Sequence, residues 1–504
     1  MRLLTTKCSP WVSTARDIDL ALTRHVGGPL FIQLRDHIRT LVNRGTFAPG
    51  DRLPPVRALA GHLKVNQITV ARAYAELAVL GIAKGRRGGG TFICKPGLQD
   101  GPIRSPSVAG AYRPLLADRL YELSRAPGVI SFTSNYPLVG ADVIEEFRSC
   151  LRLAVNRDLE GCFQYEPPIG RASTRREISR FLERRDMRVD SENIVVTSGA
   201  QQAIDLAVRA LIRPGDVAVV ERPGYYGVFN ALREASAQIL EVPLEGGGMD
   251  LGALEDLLNR HTVRLIYVNP TIQNPTGQTM SESKRRALLA LARRYDVAII
   301  EDDHASEWCP PDRRVPSIAA LAGPDDLVFF AYSFGKIILP GQRLGFLAVP
   351  PRLRHAVLNC RAANDLHGAA VLQEALAYFL EKGHYEALID HARASYAERM
   401  DVLHAKLIET LPPGVAVEKP LGGLSLWITL PDHADSSELY YRAVQRGVAF
   451  VPGEIFFVSK PDRQAIRVSF GLVPEAQFFE GVDRLCAVVR DLLSPRRERS
   501  LIYT

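Results

Sequence analysis

From about Val129 onward the chain repeats one pattern: a short apolar run, a polar or small-residue turn, then a stretch of helical periodicity. DVAVVERPGY, RLIYVNP, VAIIEDD and LVFFAYS are such runs, and SESKRRALLALARRYD is one of the helical stretches between them. Strands that alternate with helices fold as a largely parallel α/β sheet. Sheets of this kind gather ligands at the carboxyl ends of their strands. The residues able to do chemistry are therefore expected just after the apolar runs.

Thr197-Ser198-Gly199-Ala200-Gln201-Gln202 follows Ile194–Val196 and opens a helix, where small residues let a phosphate reach free N–H groups. The loop NPTIQNPTG carries Asn274, which can face a phenolic oxygen or simply close an Asx turn. Glu301-Asp302-Asp303 ends the next run. Three adjoining carboxylates repel, a cost that a protonated ring nitrogen or a surface position would offset. Ser333-Phe334-Gly335-Lys336 follows Leu327–Ala331, and a lysine at a strand end can form a Schiff base with an aldehyde. Arg343 then precedes LGFLAV and can balance a phosphate dianion. Each feature alone is common; in this order they are the parts that a pyridoxal phosphate site needs.

The stretches YEPPIGRASTRREI, TSGAQQAIDL, ERPGYYG, QNPTGQTM, IIEDD, SFGKIILPGQRLGF, PLGGLSLW, VPGEIFF and IRVSF, in that order, resemble the fold-type I pyridoxal-phosphate enzymes of aspartate-aminotransferase type. The resemblance covers about residues 129–493. It implies that Lys336 is the internal-aldimine lysine, that Asp302 pairs with the pyridine nitrogen, and that Asn274 meets the 3-oxygen. It further implies that Tyr225 stacks on the ring and that Ala200, Gln201 and Arg343 hold the phosphate. Arg467, in IRVSF, would receive an effector carboxylate as a bidentate partner, and Tyr165 would reach the phosphate of a partner subunit. Two departures stand out. The family's tyrosine after the aspartate is missing, and EDDHASEW offers His304, whose ring nitrogen can donate instead; otherwise the aldimine is tuned differently or the pocket is degraded. SFTSNYPLVGADVIEEF replaces a segment that contributes to substrate recognition.

The first 97 residues differ in character. They hold 15 Lys and Arg against five Asp and Glu, a net charge of +10 in a chain whose total is +6. A small basic module joined to a mildly acidic one suggests a polyanionic partner such as nucleic acid, or else a solvated basic surface. PLFIQLRDHIRTLV places its apolar residues on one helical face. VRALAGHL predicts a short helix opened by Pro55, and Lys64-Val65-Asn66 a tight connection. Asn66 can cap a helix from Gln67 to about Leu80, with Val70, Tyr74, Leu77 and Leu80 on its inner face. Two helices so joined form a helix-turn-helix candidate. Gln67, Thr69 and Arg72 would face the groove, and Arg57 and Lys64 the phosphates. A hairpin follows whose glycine-rich tip carries Arg86 and Arg87, suited to phosphates or a minor groove. LPPVRALAGHLKVNQITVARAYAELAVLG and RRGGGTFI resemble the winged-helix domain of the GntR superfamily, with Gln67 where that family often has Arg.

The chain thus resembles the MocR subfamily of GntR regulators. The expected architecture is an α+β winged helix-turn-helix domain at 25–95 and a linker at 96–127. An α/β aminotransferase-like domain with a smaller C-terminal α+β subdomain follows at 128–495. The resemblance implies a bacterial transcription factor, a head-to-tail homodimer that binds double-stranded promoter DNA and pyridoxal 5'-phosphate. It would sense a small amine, an amino-acid-like effector or the cofactor itself. A second reading is a working aminotransferase with a DNA-binding appendage; a third, a DNA-binding protein with a dead fold, predicts no cofactor. Seven cysteines without a CxxC pair or metal-ligand spacing point to reduced thiols, no metal and a cytoplasmic location. No signal peptide or apolar span is expected.

Overall fold

The computed structural model describes residues 30–43, 46–48, 50–79, 82–86, 90–94, 120, 123–336 and 340–493. Arg87, the side chain of Arg86, residues 25–29 and most of 96–127 lie outside the described residues. The chain divides into two compact units, Met1–Ser105 and Pro106–Thr504.

In the first unit, helix α1 (Leu30–Asn43) packs on α3 (Gln67–Val79), with α2 (Val56–His62) against the same helix. The core is Phe31, Leu34 and Ile38 from α1, Leu59 from α2, and Val70, Tyr74 and Leu77 from α3. These are the periodic apolar positions of each helix, which is why the three close on one another. The buried Tyr74 hydroxyl is satisfied by donating to the Pro54 carbonyl at 2.7 Å. Lys64 turns the chain between α2 and α3 with a left-handed φ of 51°. Asn66 Oδ1 then accepts from the Ile68 N–H at 3.0 Å, satisfying a donor that the new helix leaves open. Strands β1 (Ala83–Arg86) and β2 (Gly90–Ile93) form an antiparallel hairpin.

The second unit is built on an eight-stranded sheet. It begins with a two-residue strand, β3 (Ile130–Ser131). The large sheet then uses β4 (Ile194–Thr197), β5 (Val217–Arg222), β6 (Gln238–Glu245), β7 (Gly248–Met249), β8 (Val263–Val268), β9 (Ala298–Asp303), β10 (Val328–Ser333) and β11 (Gly345–Ala348), in the spatial order β4-β11-β10-β9-β8-β5-β6-β7. Strands β10, β9, β8, β5 and β6 run parallel, while β11 lies antiparallel between β10 and β4. The inner strands are buried along nearly their whole length, from Val217 to Val220 and from Leu265 to Val268. Burial on both faces explains why they read as unbroken apolar runs rather than alternating ones.

A smaller sheet, ordered β12-β13-β16-β15, comes from β12 (Ala416–Val417), β13 (Ser425–Leu430), β15 (Val451–Pro452) and β16 (Gln464–Ser469). Helices Ser436–Gln445 and Glu475–Leu493 accompany it. Strand β14 (Val448–Ala449) pairs in parallel with β3, so the first strand of this unit is completed by its C-terminal part. Among the described residues no helix is long and apolar enough to cross a membrane.

Candidate functional site

Because β11 runs opposite to its neighbours, its start meets the carboxyl ends of β4, β9 and β10. That edge collects most of the residues singled out in the large module. Lys336 sits on a single turn, Phe334–Lys336, directly after β10. Burial, with the Arg467 cation beside it, lowers its pKa to about 8, against the opposing pull of Asp302. Its neutral amine is thereby roughly two orders of magnitude more abundant at pH 7 than in an ordinary lysine, which is what a nucleophilic lysine requires. Nζ lies 5.7 Å from the centre of the Tyr136 ring.

The three carboxylates of β9 are all buried, so a surface position does not offset their repulsion. Strand alternation does so in part, by sending them to opposite faces. Glu301 accepts from the N–H groups of Ile318 and Ala319 at 3.0 and 2.8 Å, and Asp303 accepts from Ser306 N and Oγ at 3.0 and 2.6 Å. Asp302 faces the other way. Its Oδ2 accepts from the Tyr267 hydroxyl at 2.6 Å, and its Oδ1 is buried without a partner among the described residues. Burial pushes this carboxyl up to about 6, although the Tyr267 hydrogen bond opposes the shift. A buried carboxylate oxygen beside an activated lysine and without a proton donor fits a protonated ring nitrogen.

His304 is held by a chain of hydrogen bonds that fixes its proton. Asn269 Oδ1 accepts from the Asn274 backbone N–H at 2.6 Å, and Asn269 Nδ2 donates to the Asp302 carbonyl at 2.5 Å. With the amide oriented by two backbone groups, Nδ2 is the atom that meets His304 Nδ1 at 3.1 Å, so Nδ1 accepts. Burial, then the charges of Lys336 and Arg467, lowers the imidazole to about 3. The neutral ring therefore carries its hydrogen on Nε2, a buried atom without a partner among the described residues. Nitrogen-15 NMR of the unliganded protein is expected to show the Nε2–H form unchanged between pH 5 and 8; an Nδ1–H signal, or titration near 6.5, overturns this assignment.

The phosphate-side residues also converge. Gly199 has φ of +83° just ahead of helix Ala200–Leu211, and a Cβ there would stand 3.1 Å from Arg343 Nη2. Arg343 donates to the Ser198 carbonyl at 2.9 Å. The first N–H groups of this helix have no carbonyl one turn back, so a glycine turn with a guanidinium over it suits a phosphate. Gln201 receives the Tyr225 hydroxyl at 2.9 Å and donates to the Gly227 carbonyl at 3.0 Å, tying Tyr225 to the head of this helix. Arg467, on β16, donates through Nη1 to Asn274 Oδ1 at 2.7 Å and through Nη2 to the Thr133 carbonyl at 2.9 Å. Its Nε has no partner among the described residues. Lys336, Arg467, Asn274, Tyr136, Tyr225 and Tyr226 line one cavity of about 220 Å³. Tyr165 does not line it; it is exposed and meets the His367 ring edge-on, with the ring centroids 5.6 Å apart.

Several members of this site were not legible as such in the sequence. Tyr267 lies within an apolar strand and reads as core. Asn269 reads as a turn residue, yet it organises Asp302, Asn274 and His304. Arg285 reads as one of the charges of an exposed helix; it is fully buried and donates to Met280 O, Pro270 O, Pro316 O and Thr271 Oγ1, clamping the loop that carries Asn274. Glu221 accepts from Asn269 N and Gln273 Nε2 at 3.1 and 3.2 Å, and burial raises it to about 8.

In the small unit Arg57, Lys64 and Gln67 are exposed and Thr69 is half-buried. Arg72 is placed differently from the groove-facing position expected of it. Its guanidinium lies over the Phe31 ring, 3.4 Å from the centroid, on the side of α3 that packs on α1.

The large unit matches the model for aminotransferase class I and II over residues 127–485, and the small one that for bacterial regulatory proteins of the gntR family over residues 32–93. The chain is 31% identical to the HTH-type transcriptional regulator TauR of Rhodobacter capsulatus, across 92% of this chain and 97% of that protein. It is 32% identical to aromatic-amino-acid aminotransferase 1 of Thermococcus litoralis, across 74% of this chain and 90% of that enzyme. The crystal structure of Pyrococcus horikoshii kynurenine aminotransferase in complex with PMP superposes with a TM-score of 0.70 at 31% identity, covering 75% of this chain and 95% of that one.

Proposed function

Because the chain belongs to the MocR group of GntR-type regulators, a winged helix-turn-helix ahead of a fold-type I aminotransferase-like module, we propose that it is a pyridoxal-phosphate-dependent transcriptional regulator responding to an amine with a carboxylate. The observation that carries this reading is one cavity holding both a lysine with a lowered pKa and an arginine with an unpartnered Nε. Bound there, pyridoxal phosphate supplies an aldehyde that takes up amines and a ring that draws electrons from them.

Lys336 Nζ would hold the cofactor, at the place that a ligand amine would compete for. Asp302 Oδ1 would keep a proton on the ring nitrogen, and Asn274 and His304 Nε2 would serve the ring's phenolic oxygen. Tyr225 would cover the ring, and Ala200, Gln201 and Arg343 would take the phosphate. Arg467 has donors beyond the two it spends on Asn274 and Thr133, and it uses them to orient the ligand's carboxylate. A ligand bound better in one arrangement of the chain than in another shifts the population between them. The segment 96–127 connects that shift to the DNA-binding unit. The chain works as a head-to-tail homodimer, with Tyr165 offered to the partner subunit.

Gel-shift titrations on promoter DNA, with and without pyridoxal phosphate and a panel of amino acids and amines, test the reading. A cofactor-dependent change in affinity or footprint on adding an amine supports it; indifference to both refutes it. Replacing Arg57 and Lys64 together with Ala is expected to reduce the slope of log affinity against log salt by roughly 2 if each meets one phosphate. An unchanged slope removes them from the interface. The presence of both Lys336 and Asp302 also favours a second reading, a working aminotransferase, and multiple-turnover release of keto acid identifies it.

A further inference from the structure

The exposed face of α3 is unusually plain. Gln67 opens the helix, Ala71 lies one turn further on the same side, and Ala78 continues it. The other polar groups nearby are occupied or turned away. Asn66 Oδ1 is spent on the Ile68 N–H, Arg72 lies on Phe31, and Glu76 is buried near Arg35 at 3.6 Å. On this face, among the described residues of α3, Gln67 is the one side chain with both a donor and an acceptor to offer a base edge. Alanine at 71 and 78 leaves no bulky side chain on the line running from Gln67 to hold that edge of the helix off the floor of a groove. Arg57 and Lys64, both exposed, flank it in a unit of net charge +10, which matches a polyanion.

The chemistry of these two side chains names the bases. A carboxamide matches adenine, accepting from N6 and donating to N7, whereas guanine's O6 and N7 are both acceptors and suit a cation. A lone methyl in the major groove meets its counterpart in the thymine methyl. Ala71 is four residues beyond Gln67, a rise of about 6 Å along the helix and so about two base steps at ~3.4 Å each. We propose that α3 reads a half-site containing an adenine contacted by Gln67 and, one or two steps away, a thymine whose methyl packs on Ala71. This rests on the proposed DNA-binding role and specifies its target.

The test is selection of full-length protein, cofactor added, on a randomised 30-base-pair duplex library, beside Gln67→Arg and Ala71→Gly. Both changes are at exposed positions, and thermal melting checks that the variants remain folded. The wild type is expected to enrich one invariant A in each half-site, with a T within two steps. Gln67→Arg should convert that A to G, with at least ~5-fold discrimination in each direction. Uracil in place of the thymine should weaken wild-type binding about 3-fold, the scale of one buried methyl group, and should leave Ala71→Gly indifferent. A wild-type consensus with G·C at the variable contact, a consensus that Gln67→Arg leaves unchanged, equal binding to thymine and uracil, or binding without any enrichment each overturns the proposal. Failure to bind duplex at all refutes instead the DNA-binding role on which it stands.

Discussion

Lys336→Ala is expected to abolish the visible absorbance band that the wild-type protein keeps after mixing with pyridoxal phosphate and dialysis. Lys336 is the primary amine of the described chain placed in the cavity with Asp302 and Arg467 close enough to act on its charge. Covalent capture turns a dissociable ligand into a tethered one, and its loss should weaken retention by ~100-fold or more. The pH dependence gives a second readout. Burial and Arg467 lower the ammonium to about 8, so the reactive neutral amine becomes scarcer below that pH. Capture should therefore accelerate roughly tenfold per pH unit up to about 8 and level off above it. An ordinary lysine would go on accelerating beyond pH 10. Reduction with borohydride and peptide mapping should place the label on Lys336. A persistent band in the variant, or a label on another lysine, removes Lys336 from its role.

Asp302→Asn is expected to act in opposite directions with and without cofactor. In the unliganded protein burial holds this carboxyl at about 6, above the ~3.9 of an unfolded chain. The folded state then binds the proton more tightly than the unfolded one, so stability declines as pH rises from about 4 to about 6 and stays reduced above that. Asparagine keeps an acceptor for the Tyr267 hydroxyl but never ionises. At pH 7.5 the unliganded variant should be more stable than wild type by on the order of 3 kcal/mol, and at pH 4 the difference should nearly vanish. With pyridoxal phosphate the order should reverse. Asparagine presents an N–H where the carboxylate oxygen stood, so a protonated ring nitrogen loses its counter-charge, and affinity should fall ~30-fold or more. Thermal melts at the two pH values, each with and without cofactor, check all four arms. A variant less stable than wild type without cofactor would show that Asp302 is paid no burial cost and would sink the argument.

Much of this arrangement is legible in the amino-acid sequence alone. The apolar runs are continuous because the inner strands are covered on both faces, and the residues just beyond them converge because parallel strands share one carboxyl edge. Lys336, Asp302 and Asn274 were legible for that reason, and Arg343 because the antiparallel β11 starts at the same edge. The helix-turn-helix was legible through the periodicity of α1 and α3 and the capping residue Asn66. What stayed hidden depends on contacts between distant strands or loops. Tyr267 serves Asp302 only because β8 lies beside β9, and Arg285 leaves its helix face for carbonyls of a loop that precedes it and of Pro316. Arg72 looked like a groove-facing cation because helical spacing alone cannot tell that Phe31 covers that side. Adjacent carboxylates at the end of β9 looked like one feature, whereas the pleat makes them two, with structural anchors on one face and Asp302 on the other.

The pairing of β3 with β14 also bears on how the protein is made. Ile130 N donates to Gly447 O at 2.9 Å and Phe132 N donates to Ala449 O at 2.7 Å, so the two halves of this contact are separated by more than 300 residues. Ribosomes deliver the N-terminal end first, at about 5–20 residues per second. The described core of the small basic unit is drawn from within residues 31–93, so that core can close as soon as the stretch emerges. Ile130 and Phe132 must wait roughly 15 seconds or more for their partners to be synthesised, with apolar surface and backbone donors open in the meantime. A nascent chain of this design therefore carries a folded DNA-binding head on an unfinished body, and the interval before Val448 emerges is when a chaperone has most to hold.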